Sequence, residues 1–217
     1  MAVADRFLGV QKFFRRSRMG WFARTFAVSD ATNIIDVGGT NFNWELIGAR
    51  PRVTMVNISG EEWVKDNLRY LVYDGTKLPF PDKSFDIAYS NSVIEHVGDW
   101  NRMRNFAAEI RRMADAYYVQ TPNRGFFLEP HYMGFFTHWM KPDAARKWIP
   151  WLSVWGWRHK LTKAQIDRQL AGTRLLTVEQ VRELFPEAEI FRERFFGMTK
   201  SIVAAKFPKK NKPGERR

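Results

Sequence analysis

Asn33-Ile-Ile-Asp-Val-Gly-Gly-Thr40 is the stretch from which the rest of the chain can be read. Ile34, Ile35 and Val37 are stiff, strand-favouring residues, and Gly38-Gly39 permits a tight turn that side chains would obstruct. Asp36 stands one residue before the glycines, at the carboxyl end of the predicted strand. In an open α/β sheet that end is where ligands bind. The stretch therefore predicts the floor of a small-molecule site. A dinucleotide fingerprint needs G-x-G-x-x-G after the first strand, and here Gly38-Gly39 is followed by Thr40, Asn41 and Phe42. No G-K-[ST] of a phosphate-binding loop occurs either.

Working outward, the chain alternates strand and helix signals. Arg52 to Ile58 reads as a second strand, and Glu61 to Asn67 as a short helix or turn. Arg69 to Tyr73 is a third strand ending at Asp74-Gly75, and Phe85 to Ser90 a fourth. Asn43 to Ala49 suits a short helix. A longer helix spans Asp99 to Met113, with Asp99 as its cap and Trp100, Met103, Phe106, Ala107 and Ile110 on one face. Ala116 to Gln120 is a fifth strand, stopped by Thr121-Pro122. Such spacing predicts a mostly parallel, helix-covered sheet. Residues 123–172 break the rhythm and carry five tryptophans (Trp139, Trp148, Trp151, Trp155, Trp157), read as an inserted cap of short helices; the indoles are expected in its core, with an apolar acceptor pocket, a membrane contact, or stacking on sugars or bases as the alternatives. Thr177 and Gln180 then match a capping box. Ala188 to Phe195 and Ser201 to Ala205 read as an antiparallel strand pair.

The 217 residues suit one domain with an elaboration, and the absence of cysteine excludes disulfides, thiolate nucleophiles and cysteine-based zinc sites. No apolar run reaches the ~18–20 residues of a membrane span. The start has its arginines after the apolar stretch, which is not the order of a secretory signal. The net charge of +12 sits on the periphery: residues 1–28, 141–168 and 206–217 each carry +5, while 29–140 come to −3. Residues 1–28 interleave Phe7, Val10, Phe14, Phe22 and Phe26 with arginines, and Gly20 predicts a break between two short helices. This segment suits an anionic membrane surface, the edge of a sheet, or nucleic acid. The tail 206–217 is expected to be disordered.

Asp36-Val-Gly-Gly39, Asn57-Ile-Ser59 and Asp74-Gly-Thr-Lys-Leu-Pro-Phe-Pro-Asp-Lys-Ser-Phe-Asp86 close three successive strands. In that order and spacing they resemble the class I S-adenosylmethionine-dependent methyltransferases, in particular the small enzymes whose third loop reads LPFPDxSFD, here Leu78 to Asp86. The resemblance covers about residues 31–122, and over most of the fold if Phe185 to Ala205 is the family's final strand pair. It implies a Rossmann-like, seven-stranded, mostly parallel sheet with an antiparallel last strand and helices on both faces.

The resemblance implies roles. The cofactor is S-adenosylmethionine. Asp36, Gly38 and Gly39 would pass beneath its methionine part, Asn57 and Ile58 would meet the ribose side, and Asp74 with the Gly75 backbone would take the adenine amine, walled by Leu78. Ser90 and Asn91 would face the reacting centre. Asn57 departs from the acidic residue usual there, since an amide lacks charge-assisted bonds to ribose hydroxyls. His96, beside Glu95, is the candidate base, with a structural hydrogen bond as the competing role. Asp86 is read as structural. The stretch Gln120 to Tyr132 resembles the TPNR…EPH segment of small methyltransferases often found beside genes for cell-surface polysaccharide or lipid. It places Asn123, Arg124, Glu129 and His131 at the acceptor mouth. Glu129, His131 and His138 lack any recognised metal spacing, so no metal is expected. The acceptor is then a small, glycan or lipid-linked molecule, with peripheral contact to an anionic membrane at the cytoplasmic face. The alternatives are an RNA acceptor held by the basic ends, although no N/D-P-P-Y signature follows the fourth strand, and a cofactor-fold protein without turnover, hinted at by Asn57.

Overall fold

The computed structural model describes residues 2–158 and 161–208, with side chains from Phe14 onward. The sequence's strand signals become one sheet of eight strands in the order β3-β4-β2-β1-β5-β6-β10-β9. Its strands are β1 (Asn33–Val37), β2 (Arg52–Asn57), β3 (Trp63–Lys65), β4 (Leu68–Val72), β5 (Ile87–Asn91), β6 (Ala116–Pro122), β9 (Glu189–Phe195) and β10 (Met198–Lys206). β4, β2, β1, β5 and β6 run parallel. β10 is antiparallel to both β6 and β9. The expectation of seven strands is corrected by β3. Residues 61–67, expected as helix or turn, instead fold back antiparallel on β4, where Trp63 stacks on Tyr70. Cross-strand aromatic stacking of this kind favours a hairpin over a helical turn.

Strand order reverses between β1 and β5, so the carboxyl ends of these neighbours open a crevice. One face is covered by α3 (Trp100–Met113) and α7 (Val178–Leu184). Met103, Phe106, Ala107, Ile110 and Met113 form the buried stripe of α3, and its cap is as expected, with Arg102 N–H donating to Asp99. The capping box of Thr177 and Gln180 at α7 also forms. Asp86 is structural: its carboxylate accepts from the Asn33 backbone N–H at 2.8 Å, joining β5 to the start of β1.

The other face is covered by α1 (Ala2–Thr25) and the single turn α2 (Asn41–Trp44), shorter than the helix expected over 43–49. α1 runs unbroken through Gly20, against the expectation of two short helices. A helical glycine costs about 1 kcal/mol, and the burial of Met19, Phe22 and Phe26 around it outweighs that. Phe22 meets Tyr89, Tyr118 and Trp44 edge-on, at centroid distances of 4.8, 5.4 and 6.3 Å. Of the readings of the N-terminal segment, its second half therefore packs on the sheet. The side chains of Phe7, Leu8, Val10 and Phe13 lie outside the described residues. So do residues 209–217 of the expected disordered tail, whereas Lys206 ends β10 and Phe207 packs on Trp21, Phe26 and Phe191.

Between β6 and α7 the chain leaves the sheet. It forms a small hairpin, β7 (Leu128–Glu129) with β8 (Gly134–Phe135), then α4 (Pro142–Leu152), α5 (Val154–Arg158) and α6 (Lys163–Gly172). The short helices are as expected, but their core is not. Tyr132, Ala145, Ile149 and Ile166 fill it, while the five tryptophans are 47–71% exposed. Three thin helices cannot enclose five indoles, and the smaller side chains take the interior. Among the described residues no helix is long and apolar enough to cross a membrane.

Removing the ring that joins α1 to the sheet should be costly. Phe22→Ala is expected to lower unfolding free energy by about 3–5 kcal/mol in urea titrations.

Candidate active site

The floor of the crevice is built from the β1 turn. Asp36 is fully buried, and the Trp44 indole N–H donates to its Oδ2 at 2.9 Å. Oδ1 is buried and has no partner among the described residues. Burial, opposed only by the Trp44 hydrogen bond, pushes the Asp36 pKa up to about 8. Gly38 has a left-handed backbone (φ 81°) and its N–H donates to Val56 O at 2.7 Å. A Cβ on Gly39 would lie 1.8 Å from the Asp36 carboxylate, so only glycine closes this turn. Ser90 is buried, its hydroxyl donating to Val37 O at 2.9 Å, which ties β5 to the same turn.

Asn57 has a task that its position did not suggest. Its amide donates to Gly39 O at 2.8 Å and so clamps the glycine turn to β2. A carboxylate cannot donate that bond, which explains why an amide stands here. Ile58 follows, 78% exposed, as an apolar platform beside the turn.

Asp74 opens the next wall. Its Oδ1 accepts from the Thr76 N–H and hydroxyl, and its Oδ2 pairs with Arg102 at 2.8 Å. Slight burial acts against these bonds, yet together they hold the Asp74 pKa below its ordinary value. Arg102 also donates to Val97 O at 2.6 Å, so one guanidinium joins the loops after β4 and β5. Gly75 is pressed against Val37, where a Cβ would come within 2.7 Å. Leu78 is buried, and its loop is pinned by Arg112, which donates to Leu78 O, Phe80 O, Asp82 and Glu109.

A second polar centre lies beyond β5, reached through Ser92, whose backbone is left-handed (φ 57°). The short helical turn Ile94–His96 carries Glu95 inward and His96 outward. Glu95 is buried, accepting from the Thr121 hydroxyl at 2.9 Å, and burial pushes its pKa up to about 7. His96 Nε2 faces His131 Nε2 at 2.9 Å, and His96 Nδ1 faces Gly172 O at 3.1 Å. His131 Nδ1 meets the Glu129 carboxylate, and Glu129 also accepts from the His131 and Tyr132 backbone N–H groups. Burial and the neighbouring His131 lower the His96 pKa. At His131 the glutamates outweigh burial and raise it.

The four acceptor-side residues thus separate. Glu129 and His131 join His96. Arg124 is exposed at the rim of a cavity of about 310 Å³ that Glu129, Met140, Leu170, Thr173 and Arg174 also line. Asn123 holds β10, donating to Thr199 O and accepting from Gly125 N–H. His138 stays apart, bonded to Arg124 O. Asn91, partly buried, ends β5. Sequence reasoning missed Trp44, Arg102, Thr173 and Arg174, which have no local signal. Glu95 did have one, as a charge within the apolar run Val93 to Val97.

Comparison with known proteins agrees with this crevice. The family described as "Methyltransferase domain" matches residues 35–116. That span holds the glycine turn, Asn57, the Asp74 loop and His96. Residues 35–116 form a class I, S-adenosylmethionine-dependent methyltransferase domain. An uncharacterized methyltransferase of Mycobacterium sp. (strain KMS) is 31% identical over 101 residues, 42% of this chain. The chain spans about two fifths of that relative's length (39%). The domain's fold is shared with magnesium protoporphyrin IX methyltransferase of Synechocystis, solved with S-adenosylhomocysteine bound. The two are 10% identical with a TM-score of 0.52, over 90% of this chain and 83% of that one. A methyltransferase complexed with the Haloferax volcanii Trm112 activator aligns over 93% and 92% of the two chains, at 14% identity and a TM-score of 0.54. The [4+2]-cyclase SpnF has this fold as well, at 14% identity and a TM-score of 0.50 over 81% of this chain and 57% of that one, so fold by itself does not name a reaction.

The methyltransferase domain's residues fit the cofactor in one respect: the unpartnered Asp36 Oδ1 suits its cationic end.

Two outcomes follow from the turn. Asn57→Asp, which restores the acid usual in such enzymes, should cost about 1–3 kcal/mol in chemical denaturation, because it sets a carboxylate against Gly39 O. The raised Asp36 pKa makes the cofactor-free fold hold a proton that the unfolded chain releases at the ordinary carboxylate value. Its contribution is complete below that value and is lost as pH rises to about 8. The urea midpoint of the wild type should therefore fall relative to Asp36→Asn across that window.

Proposed function

We propose that the protein transfers a methyl group from S-adenosylmethionine to an oxygen or nitrogen of a small, glycan or lipid-linked acceptor. The cavity of about 310 Å³ carries this reading. It joins cationic Arg124 and Arg174 to apolar Met140, Leu170 and Leu175, and touches the His96 centre through Glu129 and Thr173. A guanidinium suits a phosphate or carboxylate, and the apolar wall suits the body of the acceptor.

Bound cofactor supplies a methyl carbon activated by positive sulfur. Asp36 and the glycine turn hold its methionine end, Asn57 and Ile58 the ribose side, and Asp74, Gly75 and Leu78 the adenine. Ser90 and Asn91 place the β5 end beneath the reacting centre, and His96 with His131 orients the acceptor. The helical segment 123–172 acts as a cap that excludes water. Its exposed tryptophans and local charge of +5 extend the reading to an acceptor presented at an anionic membrane surface, since indoles favour that interface.

The test uses S-adenosylmethionine labelled in its methyl group, with lipid, glycan and RNA fractions as acceptors. Label should enter a lipid or glycan fraction. Arg124→Ala should raise KM about ten-fold or more, the loss of one charge-assisted contact. Trp151→Ala with Trp157→Ala should reduce co-sedimentation with anionic phospholipid vesicles. Label confined to RNA would replace this reading with the nucleic-acid one, and failure of calorimetric cofactor binding would leave a non-catalytic domain.

A further inference from the structure

The His96–His131 contact poses a proton-counting problem. His96 Nδ1 faces the carbonyl of Gly172, and His131 Nδ1 faces the carboxylate of Glu129. Both partners are acceptors, so both Nδ1 atoms carry protons, and each ring when neutral presents a lone pair at Nε2. The two Nε2 atoms face one another across 2.9 Å, a contact that needs either a proton on one of them or a cation between them. A third ligand atom joins them: Glu95 Oε1, buried, without a hydrogen-bond partner among the described residues, and 3.9 Å from His131 Nε2. Three electron-pair donors thus converge on one point, and a cation is the chemical complement of that arrangement.

We propose that Glu95 Oε1, His96 Nε2 and His131 Nε2 bind a divalent transition-metal ion such as Zn²⁺. The three atoms lie within 4.8 Å of one another. Donors about 2.1 Å from a tetrahedral ion stand roughly 3.4 Å apart, and the observed separations of 2.9 and 3.9 Å bracket that spacing. The surroundings are those of a metal centre. Each ligating imidazole is oriented through its Nδ1–H by a carbonyl or a carboxylate, the usual supporting partners of metal-bound histidine. Thr121 holds the other oxygen of Glu95. Imidazole with carboxylate favours Zn²⁺ or Fe²⁺ over the all-oxygen shells of Mg²⁺ and Ca²⁺.

Three protein ligands leave a position open, as in catalytic rather than structural sites. Glu129 and Thr173 connect the centre to the cavity, so the open position suits an oxygen of the acceptor. That link rests on the methyl-transfer reading; the metal site itself rests only on the convergence of the three donors. The two centres divide the labour of the crevice: the glycine turn serves the cofactor, and the Glu95 centre the acceptor.

The experiment is calorimetric titration of the metal-stripped full chain with Zn²⁺, alongside Co²⁺ absorption spectra. One equivalent should bind, and Co²⁺ should give the visible bands of a low-coordinate site. His96→Ala, His131→Ala and Glu95→Gln should each abolish those bands, with circular dichroism confirming the fold. Glu129→Gln, which keeps the bulk but weakens the support of His131, should lower affinity about 10–100-fold, while His138→Asn leaves it unchanged. Absence of saturable one-equivalent binding, or binding that survives both histidine substitutions, overturns the site. If metal binds as stated while no acceptor fraction takes methyl label with or without it, the methyl-transfer reading fails and the metal site stands.

Discussion

A buried carboxylate held against Gly39 is the constraint on which the crevice depends. Asp36 sits at the end of β1 with one oxygen bonded to Trp44 and the other unpartnered. A carboxylate without partners in such a place is expensive, and much of the surrounding structure serves to hold it there. Trp44 stands against Tyr89, Tyr89 is stacked on Tyr118, and Phe22 of α1 closes over all three. The aromatic α1 is therefore more than a cover for the sheet. It fixes the indole that fixes the acid.

The glycine turn then transmits this position sideways. Gly39 gives up its Cβ to the Asp36 carboxylate and its carbonyl to Asn57, and Ser90 bonds the last carbonyl of β1. Three adjacent strands are thus locked at their carboxyl ends by side chains in addition to the ladder between them. Arg102 and Arg112 extend the order outward, one joining Asp74 to the loop after β5 and the other threading the loop from Leu78 to Asp82. Both come from the solvent-facing edge of α3, whose apolar stripe packs on the sheet. A single helix fixes both the core and the walls of the site.

The polar centre around Glu95 is assembled differently. β6 contributes Thr121, the β7–β8 hairpin brings Glu129 and His131, and the end of α6 brings Gly172 and Thr173. These pieces are distant in sequence, and each is ordered by the others. Polar networks of this kind are stable when every member is satisfied, and the open oxygen of Glu95 marks where this one is incomplete.

Local sequence determined a great deal. Periodicity and punctuation placed the parallel strands, the cap of α3, the capping box of α7 and the closing antiparallel pair, because each depends on neighbours within a few residues. The glycines after Asp36 and the Leu78 to Asp86 loop carried the resemblance that implied the cofactor class. What tertiary structure decided is which partner each side chain meets. Residues 61–67 became a strand because β4 offered an edge, Gly20 stayed helical because its neighbours are buried, and the tryptophans of residues 139–157 face outward because smaller residues fill that core. Asn57 acquired a bond to Gly39 O, and His96 acquired His131, 35 positions away in the chain. Hydrogen-bond partners across such separations leave no trace in spacing, since the distance between them is set by the packing of whole elements.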